Sequence, residues 1–149
     1  ISLFHGTIAQ NLRLNNPLAD EQDLHKAAEE AGILNDILAL PDGFDTRVGD
    51  NRTLRFTPGF MTGLALTRAL LRDAPLLLLG EPGASLDEAS DRVLMQQLNR
   101  LRGRRTIIMV THRPSHVRLA DKAVYMQGGG IGYFGEPEKV LALLLEKAA

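Results

Sequence analysis

The chain has 149 residues, enough for one sizeable core, so one domain or part of one is expected. A net charge of −1 and a pI near 6.5 speak against a basic polyanion-binding surface, and no nucleic-acid partner is expected. Cysteine is absent, which excludes a disulfide framework and thiolate chemistry, and no apolar run approaches the ~18 residues of a membrane helix.

No signal peptide is visible, and the first residue is Ile1 rather than Met, so the chain is expected to be a piece of something longer. Within Ser2–Leu12, Thr7 is placed to cap a short helix carrying Ile8 and Leu12 on one face. Asp20, with Asp23 three residues on, caps a helix over Glu21–Ala31 whose apolar stripe is Leu24, Ala27, Ala28 and Ala31. Gly32 stops it, and Ile33–Leu40 reads as a second short helix. Pro41-Asp42-Gly43 is a turn, because Pro fixes φ and Gly allows a positive φ.

Phe56–Phe60 is a helix start, with Thr57 at the N-cap and Pro58 at the first helical position. That helix runs to about Arg72 with Leu64, Ala65, Ala69 and Leu70 among its apolar positions, and Asp73-Ala74-Pro75 ends it. Gly63 falls inside it, at a cost of ~1 kcal/mol relative to Ala. The leucine run from Leu76 is expected to be a strand buried on both faces, stopping at Gly80. Glu81 follows at once, at the carboxyl end of a parallel strand, where open α/β sheets bind ligands. Pro82 and Gly83 force a loop, and Ser85 or Asp87 caps the next helix, Glu88–Arg102, with Val93, Leu94, Gln97, Leu98 and Leu101 at helical spacing. Arg100, Arg102, Arg104 and Arg105 cluster at its end and are expected to form a solvated face that complements the helix dipole. Thr106–Val110 reads as a buried strand, ending at Thr111 and His112. Lys122–Met126 and Ile131–Phe134 are strands joined by a hairpin at Gln127–Gly130, and Pro137 opens a last helix. His112 and His116 have a spacing that suggests zinc, but Pro114 between them argues against one helix face, and no metal site is expected.

Leu76–Asp87 reads L-L-L-L-G-E-P-G-A-S-L-D. It resembles the Walker B strand, catalytic glutamate and D-loop of ATP-binding cassette (ABC) ATPases, a pattern of four apolar residues followed by D-E-P-x-x-x-L-D. Glu81 falls on the catalytic glutamate, Ala84–Asp87 on the D-loop, and His112 on the switch histidine. Leu64–Asp73 is similar to the helix after the family's signature sequence, and Phe56–Phe60 (F-T-P-G-F) occupies the signature position itself, normally L-S-G-G-Q. Ser2–Leu12 and Phe44–Asp50 resemble the exporter branch, although Asp50 lies further from the signature than is usual, so that loop is expected to be remodelled.

The resemblance implies an α/β fold: a P-loop NTPase (RecA-like) ABC cassette, present in part. Residues 1–72 would be the helical subdomain with its signature, and residues 73–149 the C-terminal half of the nucleotide-binding core. The family's phosphate loop, G-x-x-x-x-G-K-[ST], has no counterpart, because no Gly-Lys pair occurs. Gly80 stands where the family has the Walker B aspartate, Pro58 replaces a signature glycine, and Phe60 replaces its glutamine.

By resemblance, Glu81 and His112 would be catalytic, and Thr57, Gly59, Ser85 and Asp87 would face nucleotide. The cofactors would be ATP and Mg²⁺ in the intact parent, with neither held tightly by this chain alone. The partners would be a transmembrane domain and a second nucleotide-binding domain, joined head to tail at the cytoplasmic face of a membrane, and the fragment itself is expected to be soluble. The alternative is a pseudo-ATPase kept as a regulatory or interaction module. A soluble cassette outside transport is a third reading, disfavoured by the exporter-like segments.

Overall fold

The computed structural model describes residues 3–49 and 56–148, with side chains through Leu144. The expected remodelling between Asp50 and the signature lies outside the described residues. The chain forms two compact units, Ile1–Ile108 and Met109–Ala149.

The first unit opens with α1 (Ile8–Leu12), held by a reciprocal box: Thr7 Oγ1 accepts from the Gln10 amide at 3.1 Å, and Gln10 Oε1 accepts from the Thr7 amide at 2.9 Å. Just ahead of it β1 (Gly6–Thr7) pairs antiparallel with β2 (Arg47–Val48). Neither strand was expected, since two residues carry no readable period. Buried Asn11 ties down the incoming chain, bonding both the amide and the carbonyl of Phe4 at 3.0 Å.

The helix α2 (Glu21–Ala31) has the expected Asp20–Asp23 box and stops at Gly32, whose φ of 78° is the left-handed C-cap. Its whole expected stripe, Leu24, Ala27, Ala28 and Ala31, is buried. The next helix, α3 (Leu34–Leu38), is shorter than expected. Ile33 stays outside it with ψ of 6°, and the chain has already turned by Ala39.

The helix α4 (Pro58–Leu71) lies along α2 and also touches α1. A Cβ on Gly63 would collide with Ile33 Cγ2, so the glycine that looks costly in sequence is what lets the Ile33 side chain seat against α4.

After α4, β3 (Leu76–Gly80) is hydrogen-bonded to β4 (Thr106–Val110), and the Thr106 amide donates to the Pro75 carbonyl at 2.8 Å. Burial on both faces is not what the structure has. Leu77 is buried, but Leu76 and Leu78 are 45% and 67% exposed, and Ile108 and Val110 are 53% and 66% exposed. One face of each strand has no cover among the described residues. Between the strands, α5 (Glu88–Leu101) buries Leu94, Met95, Leu98 and Leu101 and leaves Val93 47% exposed.

The arginine cluster also departs from a wholly solvated face. Arg105 is largely buried and clamps the turn after α4, donating to Asp73 Oδ1 at 2.9 Å and to the Ala74 carbonyl at 2.6 Å. Arg104 pairs with Glu30 of α2 at 2.9 Å.

In the second unit, α6 (Pro114–Val117) follows β4 and buries His116. The strands β5 (Ala123–Gln127) and β6 (Gly130–Gly135) form the expected antiparallel hairpin. Gly128 and Gly129 make the turn with φ of 56° and 78°, which suits consecutive left-handed positions. Lys122 and Glu136 join the hairpin's open end at 2.5 Å. Their contact raises the lysine's pKa and lowers the carboxylate's. By register Val124, Met126, Ile131 and Phe134 share one exposed hairpin face. The last helix, α7 (Pro137–Ala148), buries Val140 and Leu141 and packs on β5 and β6.

Candidate functional site

In the first unit the candidate site is the meeting of two helix starts. Thr57 is the N-cap of α4, with Oγ1 accepting from the Phe60 amide at 3.2 Å. Pro58 follows without an amide proton, so Gly59 is the first residue of α4 with an N–H to offer. Asp87 is the N-cap of α5, accepting from the Ser90 amide at 2.7 Å. These bonds from Ser90 hold the Asp87 carboxyl below the usual carboxylate range.

The two starts touch. A Cβ on Gly59 would come within 2.9 Å of Ser90 Oγ and 3.2 Å of its Cβ, so a larger residue here requires the Ser90 side chain to move. Thr57, Gly59, Phe60 and Ser90 line one cavity of about 240 Å³, together with Asp36 and Leu86. Phe56 and Phe60 stack at 4.6 Å between ring centroids, fixing the turn into α4.

Sequence reasoning placed Thr57, Gly59 and Asp87 at helix heads, and the structure brings Gly59 and the Asp87-capped turn together. Ser85 is exposed on the loop ahead of α5. Ser90 was missed. Its only sequence signal is its place three residues after a capping aspartate.

Glu81 follows β3 with a φ of 45°, an uncommon left-handed position for a residue with a side chain. A Cβ on Gly80 would meet nothing within 4 Å, so the position ahead of it has room for a larger residue. His112 belongs to the second unit, where its side chain is exposed. Thr111 organises its loop. The Thr111 hydroxyl oxygen accepts from the Arg113 amide at 3.1 Å and lies 3.1 Å from Nδ1 of buried His116. His116 is thus a loop anchor, which the zinc spacing did not reveal.

No family model matches the chain. It is 36% identical over 140 residues to the glutathione/L-cysteine transport system ATP-binding/permease protein CydD of Bacillus subtilis (strain 168), covering 94% of this chain and 24% of that protein. It is 38% identical over 142 residues to an ATP-dependent lipid A-core flippase of Chromohalobacter salexigens, covering 95% of this chain and 24% of that protein. The homologues are ABC transporter ATP-binding/permease proteins. The fold is similar to a bacterial Atm1-family ABC exporter solved with ATP bound, with a TM-score of 0.83 and 26% identity over 99% of this chain and 27% of that one. The chain therefore spans about a quarter of the length of the relatives it matches. No described helix is long and apolar enough to cross a membrane.

Gly80 offers no side-chain oxygen, no Gly-Lys pair supplies a phosphate loop, and no three His or acidic residues converge among the described residues.

Proposed function

We propose that this chain is the C-terminal part of the ATP-binding domain of an exporter-type ABC transporter. Residues 1–72 act as the helical subdomain carrying the signature helix, and residues 73–149 as the second half of the RecA-like core. The observation that carries the reading is similarity over 94% of the chain to a transport-system ATP-binding/permease protein. In the longer protein, Glu81 sits beside the water that attacks ATP and His112 contacts the γ-phosphate. The head of α4, with Thr57 and Gly59, faces nucleotide held by a second domain packed head to tail. Ser85 and Asp87 belong to the loop at that interface. The partner in the membrane is the transporter's own transmembrane domain, and the domain works at the cytoplasmic face.

A second reading has its own support. Gly80, Pro58 and Phe60 each remove a polar group from the places where phosphate and metal are gripped, which favours a pseudo-ATPase that keeps the fold as a regulatory module. A single oxyanion-type donor is worth ~3 kcal/mol to a transition state, so losing several leaves little rate.

The test is ATP turnover. The 149-residue chain is expected to have none. Mg-dependent turnover by the chain that vanishes on Glu81→Gln would overturn the reading. In the longer protein, turnover sensitive to Glu81→Gln and His112→Ala selects the ATPase. Nucleotide binding without turnover selects the pseudo-ATPase.

A further inference from the structure

The second unit holds a buried titratable side chain that the proposed chemistry leaves unused. His116, in the single-turn helix α6, is 1% exposed, whereas His112 stands exposed just ahead of that helix. Thr111 connects the two. Its hydroxyl oxygen accepts from the Arg113 amide at 3.1 Å and lies 3.1 Å from Nδ1 of His116. The first contact joins the residues on either side of His112. The second ties both to α6, which packs on α7.

Counting protons sets the direction of these bonds. A threonine hydroxyl has one proton to give and can accept two. The Arg113 amide can only donate, so it occupies one acceptor position. If His116 carried its proton on Nδ1, the ring would donate to Thr111 as well. The hydroxyl proton would then have no acceptor among the described residues. With the ring proton on Nε2, Nδ1 accepts and every group is used. The Arg113 amide donates to Thr111 Oγ1, and the Thr111 hydroxyl donates to His116 Nδ1. A hydroxyl that accepts and donates at once is polarised in both bonds, which strengthens each. Thr111 is β-branched, so its χ1 is already restricted, and bonds on both sides of the hydroxyl fix it further.

We infer that Thr111 and His116 are positioning residues for His112. The directed chain from the Arg113 amide through the Thr111 hydroxyl to His116 Nδ1 sets the backbone from which the His112 ring projects, with His116 as the Nε2–H tautomer. Neither residue touches reacting atoms. The task given to His112 rests on the proposed function, whereas the hydrogen-bond chain and the tautomer do not. Displacing a group that contacts the γ-phosphate by about 1 Å costs on the order of 100-fold in rate.

Long-range proton–nitrogen correlation spectra of the 149-residue chain read the tautomer directly. At mildly alkaline pH, His116 is expected with Nε2 protonated and Nδ1 bare. Thr111→Val keeps the branched shape and removes the hydroxyl, so the ring signals of both His116 and His112 shift. Thr111→Ser restores them. In the longer protein, Thr111→Val lowers kcat for Mg-ATP by about 10- to 100-fold and changes KM by less than about twofold. Thr111→Ser recovers most of that loss. An Nδ1–H tautomer for His116 overturns the proposal, and this arm needs no variant to fold. So does a folded Thr111→Val protein whose His112 signals stay in place. Unchanged kcat for Thr111→Val, in a longer protein whose turnover requires His112, overturns it as well. A loss that Thr111→Ser does not recover has the same consequence. If the longer protein turns over no ATP, or does so without His112, the functional proposal fails and the ring spectra alone decide this one.

Discussion

Replacing Gly63 by alanine sets two effects of opposite sign against each other. In an open helix the change stabilises by about 1 kcal/mol, because glycine loses more backbone entropy than alanine. Here the new methyl meets Ile33, with Cβ of that residue at 3.2 Å and Cγ2 closer still. Ile33 is only 6% exposed, so it has little room to retreat. Overpacking of this kind costs about 1–3 kcal/mol. The net expectation is a loss of about 1 kcal/mol, or a Tm lower by about 2–4 °C. Ile33→Ala alone costs about 2–5 kcal/mol as a truncated core residue. With Ile33 already truncated, Gly63→Ala meets no obstacle and recovers the propensity gain of about 1 kcal/mol. The coupling between the two sites is then about 2 kcal/mol, well outside the scatter of independent sites. Urea unfolding of the four proteins, followed by far-UV circular dichroism, measures it. A Gly63→Ala protein more stable than its parent while Ile33 is intact would refute the packing argument, and so would strict additivity.

Gly80→Asp is expected to leave stability unchanged within about 0.5 kcal/mol, because the added side chain enters open space. In the longer protein the same change raises Mg²⁺-dependent nucleotide affinity, and calorimetry showing no change would separate Gly80 from the metal site. The Asp87 carboxyl has its pKa lowered in the folded state by the bonds from Ser90. Its contribution is full above the unfolded pKa of about 3.9 and is lost as pH falls through the folded value. Asp87→Asn keeps an N-cap and removes the titration, so its stability should fall less steeply with acid; identical acid limbs would count against the cap. The exposed faces at Leu76 and Leu78, and at Val124, Met126, Ile131 and Phe134, predict self-association of the 149-residue chain. Light scattering that finds only monomer at high concentration would contradict this.

What the sequence made legible was local. Thr7, Asp20, Thr57 and Asp87 each announce a helix start by chemistry contained within four residues, and each is the observed N-cap. The hairpin at Gly128-Gly129 was legible for the same reason. What stayed hidden depends on residues far apart in the chain. Nothing near Gly63 says that Ile33 fills its missing side chain, and nothing near Arg105 says that it locks the turn at Asp73. The leucine run is the instructive failure. Four consecutive leucines encode a strand covered on both faces, and half of that cover is missing among the described residues. Leu77 meets that pattern, while Leu76 and Leu78 stand exposed, so a run of one residue type cannot say which of its faces is covered.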